Sequence, residues 1–531
     1  MHRSPALPSP RALLVVLTAL ATALVLLPAR PASAVEGAPG VRPGGFRIEA
    51  AAGTTLTIPG LGAFSDTIEV LPGPGGRLQV VNEMSMDTYV EGLAEVPASW
   101  PAESLKAQAV AARTYAWYSE DRGYYLEQGL DFDICASTAC QVFHGREIAD
   151  TTIGRPWVEA VRATSGEVLA HEDRPILARF FSTSGGATRN NEDVFPESGP
   201  RPYLQGVDDP HDAVSPLSRW QVRFSRAQFD ELLSRGETLR AAVPVAKAER
   251  VLADGTRSDH IRFTREDGHQ VEIEASKFRF WVSEMAPKVF PGQYPQARAD
   301  GGRMPATLPS SRIEFTLTDA TVAIDGFGWG HGVGMSQFGA KGKAEDGWHY
   351  GDILSAYYTG LEAAPHPGAP ERIRVGLDWE NLSQVEVRAD GYVRVFTADA
   401  QTDARSTIPW TFRSEGSTVD LVTAPHVTFG ERTHETRRLP RDVAPPALAP
   451  AVEAAAPAEP PASDEPRSIP GERTAVLDVA PAATTDDADD ATQDGAGPSV
   501  AGAISSTVQR TAPGVGGLVT LLRGAVRVLA G

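Results

Sequence analysis

The sequence predicts an α+β fold with mixed β-sheets, one prominent helix at about residues 101–120 that lines a groove, and a disordered C-terminal tail. Short segments that alternate apolar and polar residues recur along the chain, as is typical of half-buried strands. One long stretch after Pro101 contains no helix breaker. No aromatic residue follows Phe429, so the tail has little apolar surface to offset the entropy cost of ordering.

Residues 1–34 have the pattern of a secretory signal peptide. Arg3 and Arg11 flank the start of an apolar run at 13–27, and a small-residue cleavage site ends at Ala34. The run is shorter than the ~20 residues that span a bilayer, so cleavage is favoured over an uncleaved membrane anchor. We therefore expect a secreted, extracytoplasmic protein with no integral membrane domain in the mature chain.

The elements between the signal and the tail follow from local pattern. Pro101 suits the first turn of the long helix, because its missing N–H costs nothing there. Leu105, Ala109, Ala112 and Ala116 fall at helical spacing and form a small-residue face for close packing. Strands are predicted at 56–58, 68–70, 78–81, 176–182, 251–275 (hairpins), 313–324 and 372–396, and further helices within 157–169, 225–235 and 352–359.

Charge excludes one large class of function. The 531 residues carry 49 basic and 68 acidic side chains, a formal net charge of -19. A general nucleic-acid binder presents a basic face, so no nucleic acid is expected as a partner.

Glu95 is the candidate catalytic residue. Ala94, Val96 and Pro97 flank it, and Trp100 is close by. An apolar setting disfavours the charged carboxylate and raises its pKa, which suits a proton donor to a glycosidic oxygen. The alternative is a carboxylate that caps the following helix, whose dipole would lower the pKa instead.

Three blocks, at 89–115, 181–188 and 326–340, stand in the order found in a known family. Together they resemble the SpoIID/LytB family of stage II sporulation protein D and the amidase enhancers. The likeness covers about residues 80–362. Val96 stands where the family usually has Met in a Glu-Met-Pro motif, a change that keeps the surroundings of Glu95 apolar.

The resemblance implies a lytic transglycosylase that acts on peptidoglycan glycan strands, preferably those stripped of stem peptides. Glu95 would protonate the oxygen between N-acetylmuramic acid and N-acetylglucosamine. It would then deprotonate the muramoyl 6-hydroxyl, which closes a 1,6-anhydro ring. An ordinary glycosidase needs a second carboxylate, and the nearby Glu91 is expected to be a surface residue. The alternative is a non-catalytic cell-wall module that enhances an N-acetylmuramoyl-L-alanine amidase; a metal-dependent hydrolase is a weaker third hypothesis.

The blocks also supply candidate substrate-binding residues. Glycine alternates with other residues from 326 to 334, and such a segment either passes close to a bulky ligand or packs tightly against the protein. His331 is correspondingly either a sugar ligand or a core histidine, and Arg113 either a ligand to the lactyl group or a solvated helix residue. The predicted binding residues are Arg113, Ser184, Thr188, His331, Ser336 and Gln337.

The chain has two cysteines, Cys135 and Cys140. An oxidising compartment favours a disulfide between them. Some relatives hold zinc near a Cys pair, and His144 could be a third ligand, but no fourth is evident. We predict no cofactor.

By domain, the sequence is expected to divide into the signal peptide, a SpoIID-like catalytic domain at 46–362, a small β-rich extension at 363–442, and an Ala/Pro-rich and acidic tail at 443–531. Peptidoglycan glycan strands are the expected partner, with a cell-wall amidase as a further candidate.

Overall fold

The computed structural model describes residues 43–298, 300–405, 408–424 and 430–431. The predicted signal peptide at 1–34 and the predicted tail at 443–531 lie outside the described residues. Within the described ranges the fold is α+β with several β-sheets, as predicted. None of the described helices is long and apolar enough to cross a membrane.

The described helices range from single turns to a helix of 21 residues. Single 3-10 turns occur at Pro74–Gly76, Pro196–Ser198, Pro210–Val214 and Leu239–Ala242. In chain order the α-helices are α1 Met86–Glu91, α2 Ala102–Arg122, α3 Tyr124–Glu127, α4 Arg146–Ala149, α5 Arg155–Ala163, α6 Asn191–Val194, α7 Arg226–Ser234, α8 Ala275–Val289, α9 Gln337–Glu345 and α10 Tyr350–Tyr357.

The strands are short, and they belong to several separate sheets. In chain order they are β1 Phe46–Ala50, β2 Leu56–Ile58, β3 Gly62–Phe64, β4 Thr67–Pro72, β5 Leu78–Ser85, β6 Ile134–Cys135, β7 Glu167–Val168, β8 Ala170–His171, β9 Arg174–Pro175, β10 Phe180–Phe181, β11 Arg219–Ser225, β12 Val245–Val251, β13 His260–Arg265, β14 Gln270–Glu274, β15 Ile313–Leu317, β16 Thr321–Phe327, β17 Met335–Ser336, β18 Ala364–Pro365, β19 Arg372–Asp378, β20 Gln384–Ala389, β21 Tyr392–Phe396, β22 Ala400–Arg405, β23 Trp410–Glu415, β24 Thr418–Thr423 and β25 Gly430–Glu431.

Two sheets enclose the first hydrophobic core. One has the order β25-β22-β21-β1-β4-β5-β19-β6, and the other the order β24-β23-β20-β2-β3. Ile48 and Val395 from the first sheet and Leu56 and Phe412 from the second lie in the same buried cluster. Alternation of apolar residues along β1 and β2 therefore places their side chains between the two sheets.

The predicted boundary at 363 does not coincide with a break in this structure. Strands from beyond it pair with strands of the predicted catalytic domain: β21 with β1, β20 with β2, and β19 with β5. Each of these early strands would otherwise present unpaired N–H and C=O groups at a sheet edge. Asp390 and Gly391, between β20 and β21, carry the chain from the second sheet to the first rather than closing a hairpin.

Helix α2 lies between two hydrophobic cores. Its N-cap is Pro101, and Gly123 ends it in the left-handed conformation. The predicted face of Leu105, Ala109, Ala112 and Ala116 packs into the first core. The opposite side packs into another core together with α10, through Ala107, Val110 and Ala111. Small side chains on both sides allow this close packing.

Residues 217–324 have a core of their own. Two three-stranded sheets, β11-β16-β15 and β12-β13-β14, pack with α7 and α8 around it. The predicted hairpins are present, as is the helix predicted within 225–235, which Ser225 begins with a capping box to Gln228. The strand predicted at 176–182 is shorter, because backbone bonds from Ala178 N to Ile176 O and from Arg179 N to Leu177 O turn the chain.

The close packing of α9 against α10 can be tested by a substitution at Gly339. A Cβ atom there would lie 2.1 Å from the Tyr357 hydroxyl and 2.2 Å from Asp209 Oδ2, both fully buried. We expect Gly339→Ala to lower the free energy of unfolding by about 1–3 kcal/mol despite the better helix propensity of Ala. Gly351 of α10 is the matched control, because its nearest neighbour would be His349 Nδ1 at 3.4 Å. Urea denaturation should show Gly351→Ala neutral or stabilising, and equal effects would contradict this packing.

Candidate active site

Glu95 lies in the loop between α1 and α2, and a short antiparallel pairing holds that loop in place. Ala94 N donates to Val142 O at 3.0 Å, and His144 N donates to Gly92 O at 2.9 Å. Leu93 and Phe143 form the bridge between them. The backbone next to Glu95 is therefore fixed by residues about 50 positions later in the sequence.

The Glu95 carboxyl group is bound at one oxygen. Val142 N donates to its Oε1 at 2.7 Å, whereas Oε2 receives no hydrogen bond from any described residue. Burial raises the pKa of Glu95 to about 7, and the Val142 hydrogen bond opposes the rise. Near neutral pH the group is thus available as an acid, with its proton on the free Oε2. The pKa shift has the direction predicted from the apolar setting of Glu95 and is opposite to the one that a helix cap would cause. The role of Glu95 as a proton donor stays a prediction.

No second carboxyl group accompanies Glu95 in the part of the chain that the structure describes. Glu91 instead accepts a hydrogen bond from Arg162 Nε at 2.8 Å, in an ion pair. The causes of the raised Glu95 pKa are burial and the Val142 hydrogen bond, with no contribution from another carboxylate. The site thus offers one acid rather than the pair that an ordinary glycosidase uses.

Polar and aromatic side chains surround this acid. Gln337 Nε2 donates to the Glu95 backbone oxygen at 3.3 Å and approaches Gln108 Oε1 at 3.5 Å. Trp100 packs edge-on against Phe338, with ring centroids 4.9 Å apart. The Glu95 charge also helps to raise the pKa of Tyr115, although burial is the larger cause. The site combines amide groups with aromatic surface, a combination suited to sugars.

Cys135 and Cys140 are joined by a disulfide, with their Cα atoms 5.6 Å apart. The bridge lies directly before the segment that binds Glu95. The first residue of that segment, Gln141, is fully buried. Its side chain accepts from the Tyr89 hydroxyl at 2.8 Å and donates to Ala112 O at 3.3 Å.

The weak zinc alternative gains no support from geometry. His144 Nδ1 lies 3.7 Å from a carboxylate oxygen of Glu147. The described residues contain no cluster of three or more His, Cys, Asp or Glu side chains arranged to hold a metal ion.

Asp212 joins the second and third sequence blocks. Its Oδ1 accepts from Ser184 N and Ser336 Oγ, both at 2.7 Å, and its Oδ2 accepts from Gly185 N at 3.0 Å. Ser336 Oγ also accepts from Gly339 N at 3.1 Å and so begins α9. Ser336 and Ser184 therefore use these groups to fix loops rather than to present them to a ligand.

The side chains of two other predicted substrate-binding residues are also bound to protein groups. Arg113 is 2% exposed, and its guanidinium donates to Asp87 Oδ1 at 2.9 Å and to Glu167 O at 3.1 Å. It is neither a solvated helix residue nor free to bind a lactyl group. Thr188 Oγ1 accepts from Val207 N at 2.8 Å.

His331 is a half-buried, neutral histidine. Val333 N donates to its Nδ1 at 3.1 Å, so the ring proton lies on Nε2 and is donated to Phe180 O at 3.0 Å. Burial, helped by the charge of Arg179, lowers the pKa of His331 to about 3. Both nitrogens are engaged with the backbone, which corresponds to the core-histidine alternative. Of the predicted binding residues, only Gln337 reaches Glu95.

The alternating glycines serve tight packing at two positions. Gly328 and Gly334 have φ of 72° and 77°. A Cβ atom at these positions would lie 2.2 Å from Thr183 O and 2.1 Å from Arg179 O, respectively. Any side chain would therefore separate the glycine-rich block from the block at 181–188.

Sequence reasoning missed Asp212, Gln108 and Tyr115 as parts of the site. Gln108 and Tyr115 fall on the helix within the first block, where their spacing gave no sign that they approach Glu95. Asp212 follows the Asp208-Asp209-Pro210 turn, and its polarity in a buried position becomes visible only in the fold.

Comparison with known proteins places this site in context. The profile of the family described as stage II sporulation protein matches residues 74–171. Stage II sporulation protein D of Bacillus amyloliquefaciens is 30% identical over 293 residues, 53% of this chain and 75% of that protein. Its Bacillus subtilis counterpart is 29% identical over 294 residues, 54% and 76% respectively. The amidase enhancer of Bacillus subtilis is 29% identical over 296 residues, 50% of this chain but 38% of that protein.

The raised pKa of Glu95 makes a prediction about stability. Ionisation of Glu95 is disfavoured in the folded state and therefore lowers the free energy of unfolding. This loss is absent below pH about 4.5, grows as the pH rises towards 7, and is complete above that. Glu95→Gln keeps an oxygen acceptor for Val142 N. It should leave stability unchanged near pH 4 and increase the free energy of unfolding by about 2 kcal/mol near pH 8, a figure reduced from the full shift because the side chain is partly exposed.

Urea denaturation at the two pH values would measure this difference. Glu91→Gln weakens an ion pair with the largely exposed Arg162 instead, and should change stability by less than about 1 kcal/mol at either pH. A Glu95→Gln effect of equal size at both pH values would contradict a raised pKa.

Proposed function

This chain belongs to the SpoIID/LytB family, and we propose that it is a peptidoglycan lytic transglycosylase in which Glu95 is the catalytic acid and base. The family supports a function in the cell wall. The transglycosylase reaction, the glycan substrate and an extracytoplasmic location go beyond that family assignment and are part of the proposal. A role in sporulation or in cell-wall remodelling would be consistent with the names of the relatives.

The observation that carries the proposal is the single half-buried carboxyl group of Glu95, which has one free oxygen. Glu95 Oε2, protonated near neutral pH, would donate to the oxygen between N-acetylmuramic acid and N-acetylglucosamine as that bond breaks. The carboxylate formed would then take the proton from the muramoyl 6-hydroxyl as its oxygen bonds to C1. The 1,6-anhydro ring closes, and the acid is regenerated without a water nucleophile.

The rest of the site supports this assignment. The Val142 hydrogen bond fixes the carboxyl plane at Oε1, so the same Oε2 can serve both proton transfers. The low pKa of His331 removes it as a competing acid. A reaction that needs one carboxyl group agrees with the absence of a second one near Glu95 among the described residues.

Similarity to the amidase enhancer favours one alternative: a non-catalytic module that binds the wall and stimulates an N-acetylmuramoyl-L-alanine amidase. This activity would depend on a protein surface rather than on Glu95.

Digestion of purified glycan strands tests the proposal. The full chain, incubated with stripped and with peptide-bearing strands, should produce anhydromuramoyl ends detectable by mass spectrometry. Glu95→Gln should reduce their formation by a factor of about 100 or more, and Glu91→Gln should leave it near the wild-type rate. Wild-type protein that retains glycan but forms no new ends would contradict the enzyme assignment.

The pH dependence gives an independent check. Because Glu95 must be protonated to donate, kcat/KM should fall about tenfold for each pH unit above pH about 7. A rate that stays constant to pH 9 would exclude a carboxyl group with this pKa as the acid.

The alternative has a separate readout. If the chain only enhances an amidase, release of stem peptides by an added N-acetylmuramoyl-L-alanine amidase should rise equally with wild-type protein and with Glu95→Gln. Stimulation lost in Glu95→Gln would instead link it to glycan cleavage.

A further inference from the structure

A polar cleft lies where the core of residues 217–324 meets the sequence blocks at 181–188 and 326–340. Its lining includes Thr183, Ser184, Arg189, Ser310, Arg312 and His331. Thr183 and Ser184 belong to the second sequence block, whereas Ser310 and Arg312 come from the segment before β15. The cleft is therefore built by two parts of the chain with separate cores.

Positive charge is concentrated at this cleft, although the whole chain has a formal net charge of -19. Arg219 and Arg312 lie over the Phe327 ring, at 4.9 and 5.5 Å from its centroid. Arg189 and Arg250 lie 3.2 and 4.0 Å from the same oxygen of Asp259. Arg189 and Arg312 line the cleft. Arg219 and Arg250 lie behind them, against Phe327 and Asp259.

Few carboxylates offset these four charges. Asp259 is 3% exposed, and its Oδ1 is occupied by Ala253 N at 2.7 Å. Asp193 acts electrostatically on Arg189, whose Nη2 donates to the Asp193 backbone oxygen at 3.2 Å. Asp212 is a third nearby carboxylate, because it binds the backbone of the lining residue Ser184. Four guanidinium groups still outnumber these three carboxylates, and an anion would neutralise the excess positive charge.

Only one nitrogen of the Arg312 guanidinium is engaged in hydrogen bonds to described residues. Its Nη1 donates to Ser184 O and Ala187 O, both at 3.0 Å, which fixes the plane of the guanidinium. Its Nε and Nη2 make no hydrogen bond to any described residue. Burial and the nearby charges of Arg250 and Arg189 lower the pKa of Arg312, as expected for cations crowded without enough counter-charge. A fixed guanidinium with a free edge suits an anion of two oxygens.

The cleft is connected to Glu95 through adjacent residues. Ser182 O accepts from Phe338 N at 3.0 Å, and the neighbouring Gln337 contacts the Glu95 backbone. Thr183, next to Ser182, lines the cleft. A few residues in direct contact therefore join the lining of the cleft to the Glu95 loop.

We propose that this arginine cleft binds a carboxylate carried by the glycan strand and selects strands that bear it. The inference rests on the proposed function for the nature of the polymer. Both a bare lactyl group and a stem peptide present carboxylates, so the chemistry recognised is shared and the two sources must be distinguished by experiment.

The proposal can be tested by measuring how much glycan the protein retains, which does not require cleavage. Full-length Glu95→Gln protein would be mixed with stripped strands, with peptide-bearing strands, and with each after carbodiimide amidation of its carboxyl groups. Binding to at least one untreated strand should exceed binding to its amidated form by about tenfold. Preference for stripped or for peptide-bearing strands identifies the source of the carboxylate.

Variants then assign the effect to the cleft. Arg312→Gln in the same background should lose the difference between untreated and amidated strands, and Arg312→Lys should retain part of it. Arg388, an exposed arginine on β20 that pairs with Glu386, provides the matched control, and Arg388→Gln should keep the full difference. Thermal unfolding checks that Arg312→Gln remains folded; if it does not, Arg312→Lys and Arg189→Gln decide.

The outcomes separate this inference from the proposed function. Equal retention of untreated and amidated strands, or an unchanged preference in a folded Arg312 variant, would overturn the carboxylate site even if the wild type forms anhydromuramoyl ends. Selective retention that depends on Arg312, without any anhydromuramoyl ends from the wild type, would support the site and overturn the enzyme.

Discussion

The buried carboxylate of Asp212 is the interaction on which the arrangement of the site depends. It accepts from two backbone N–H groups of the loop at Ser184 and Gly185 and from the hydroxyl of Ser336. These hydrogen bonds replace the hydrogen bonds to water that the carboxylate loses when it is buried. Ser336 is followed by Gln337, which touches the Glu95 loop, and Ser184 lines the arginine cleft. One buried anion thus sets the relative positions of the candidate acid and the candidate anion site.

Glu95 and the arginine cleft use burial in opposite ways. At Glu95, removal of water without a charged partner keeps a carboxyl group protonated near neutral pH. In the cleft, guanidinium groups remain charged despite crowding, so the unbalanced charge persists as an attraction for anions. If the proposed function holds, a glycan strand with acidic substituents would meet both a neutral acid at the bond to be broken and cations that bind its carboxylates.

Local features could be predicted from the sequence, whereas features that depend on distant contacts could not. The long helix, the capped helix after Ser225 and the hairpins follow from breakers, caps and turn residues within a few positions. The apolar setting of Glu95 was also visible in its neighbours. The strand pairing across residue 363 could not be predicted, because it joins residues more than 300 positions apart. The Asp87 partner of Arg113 and the convergence of Arg189, Arg219, Arg250 and Arg312 are equally non-local, so sequence spacing gives no sign of them.

The order of strands in the large sheet has a consequence for assembly. Strand β1 lies between β4 and β21. One edge of β1, near the start of the described residues, is therefore covered only once β21, at residues 392–396, has been made. Until residues near 396 are available, β1 and β5 each present an unpaired edge to any other extended chain. Contacts of such long sequence separation also slow folding. Nearly all of the described residues must therefore be available before these two edges can be covered.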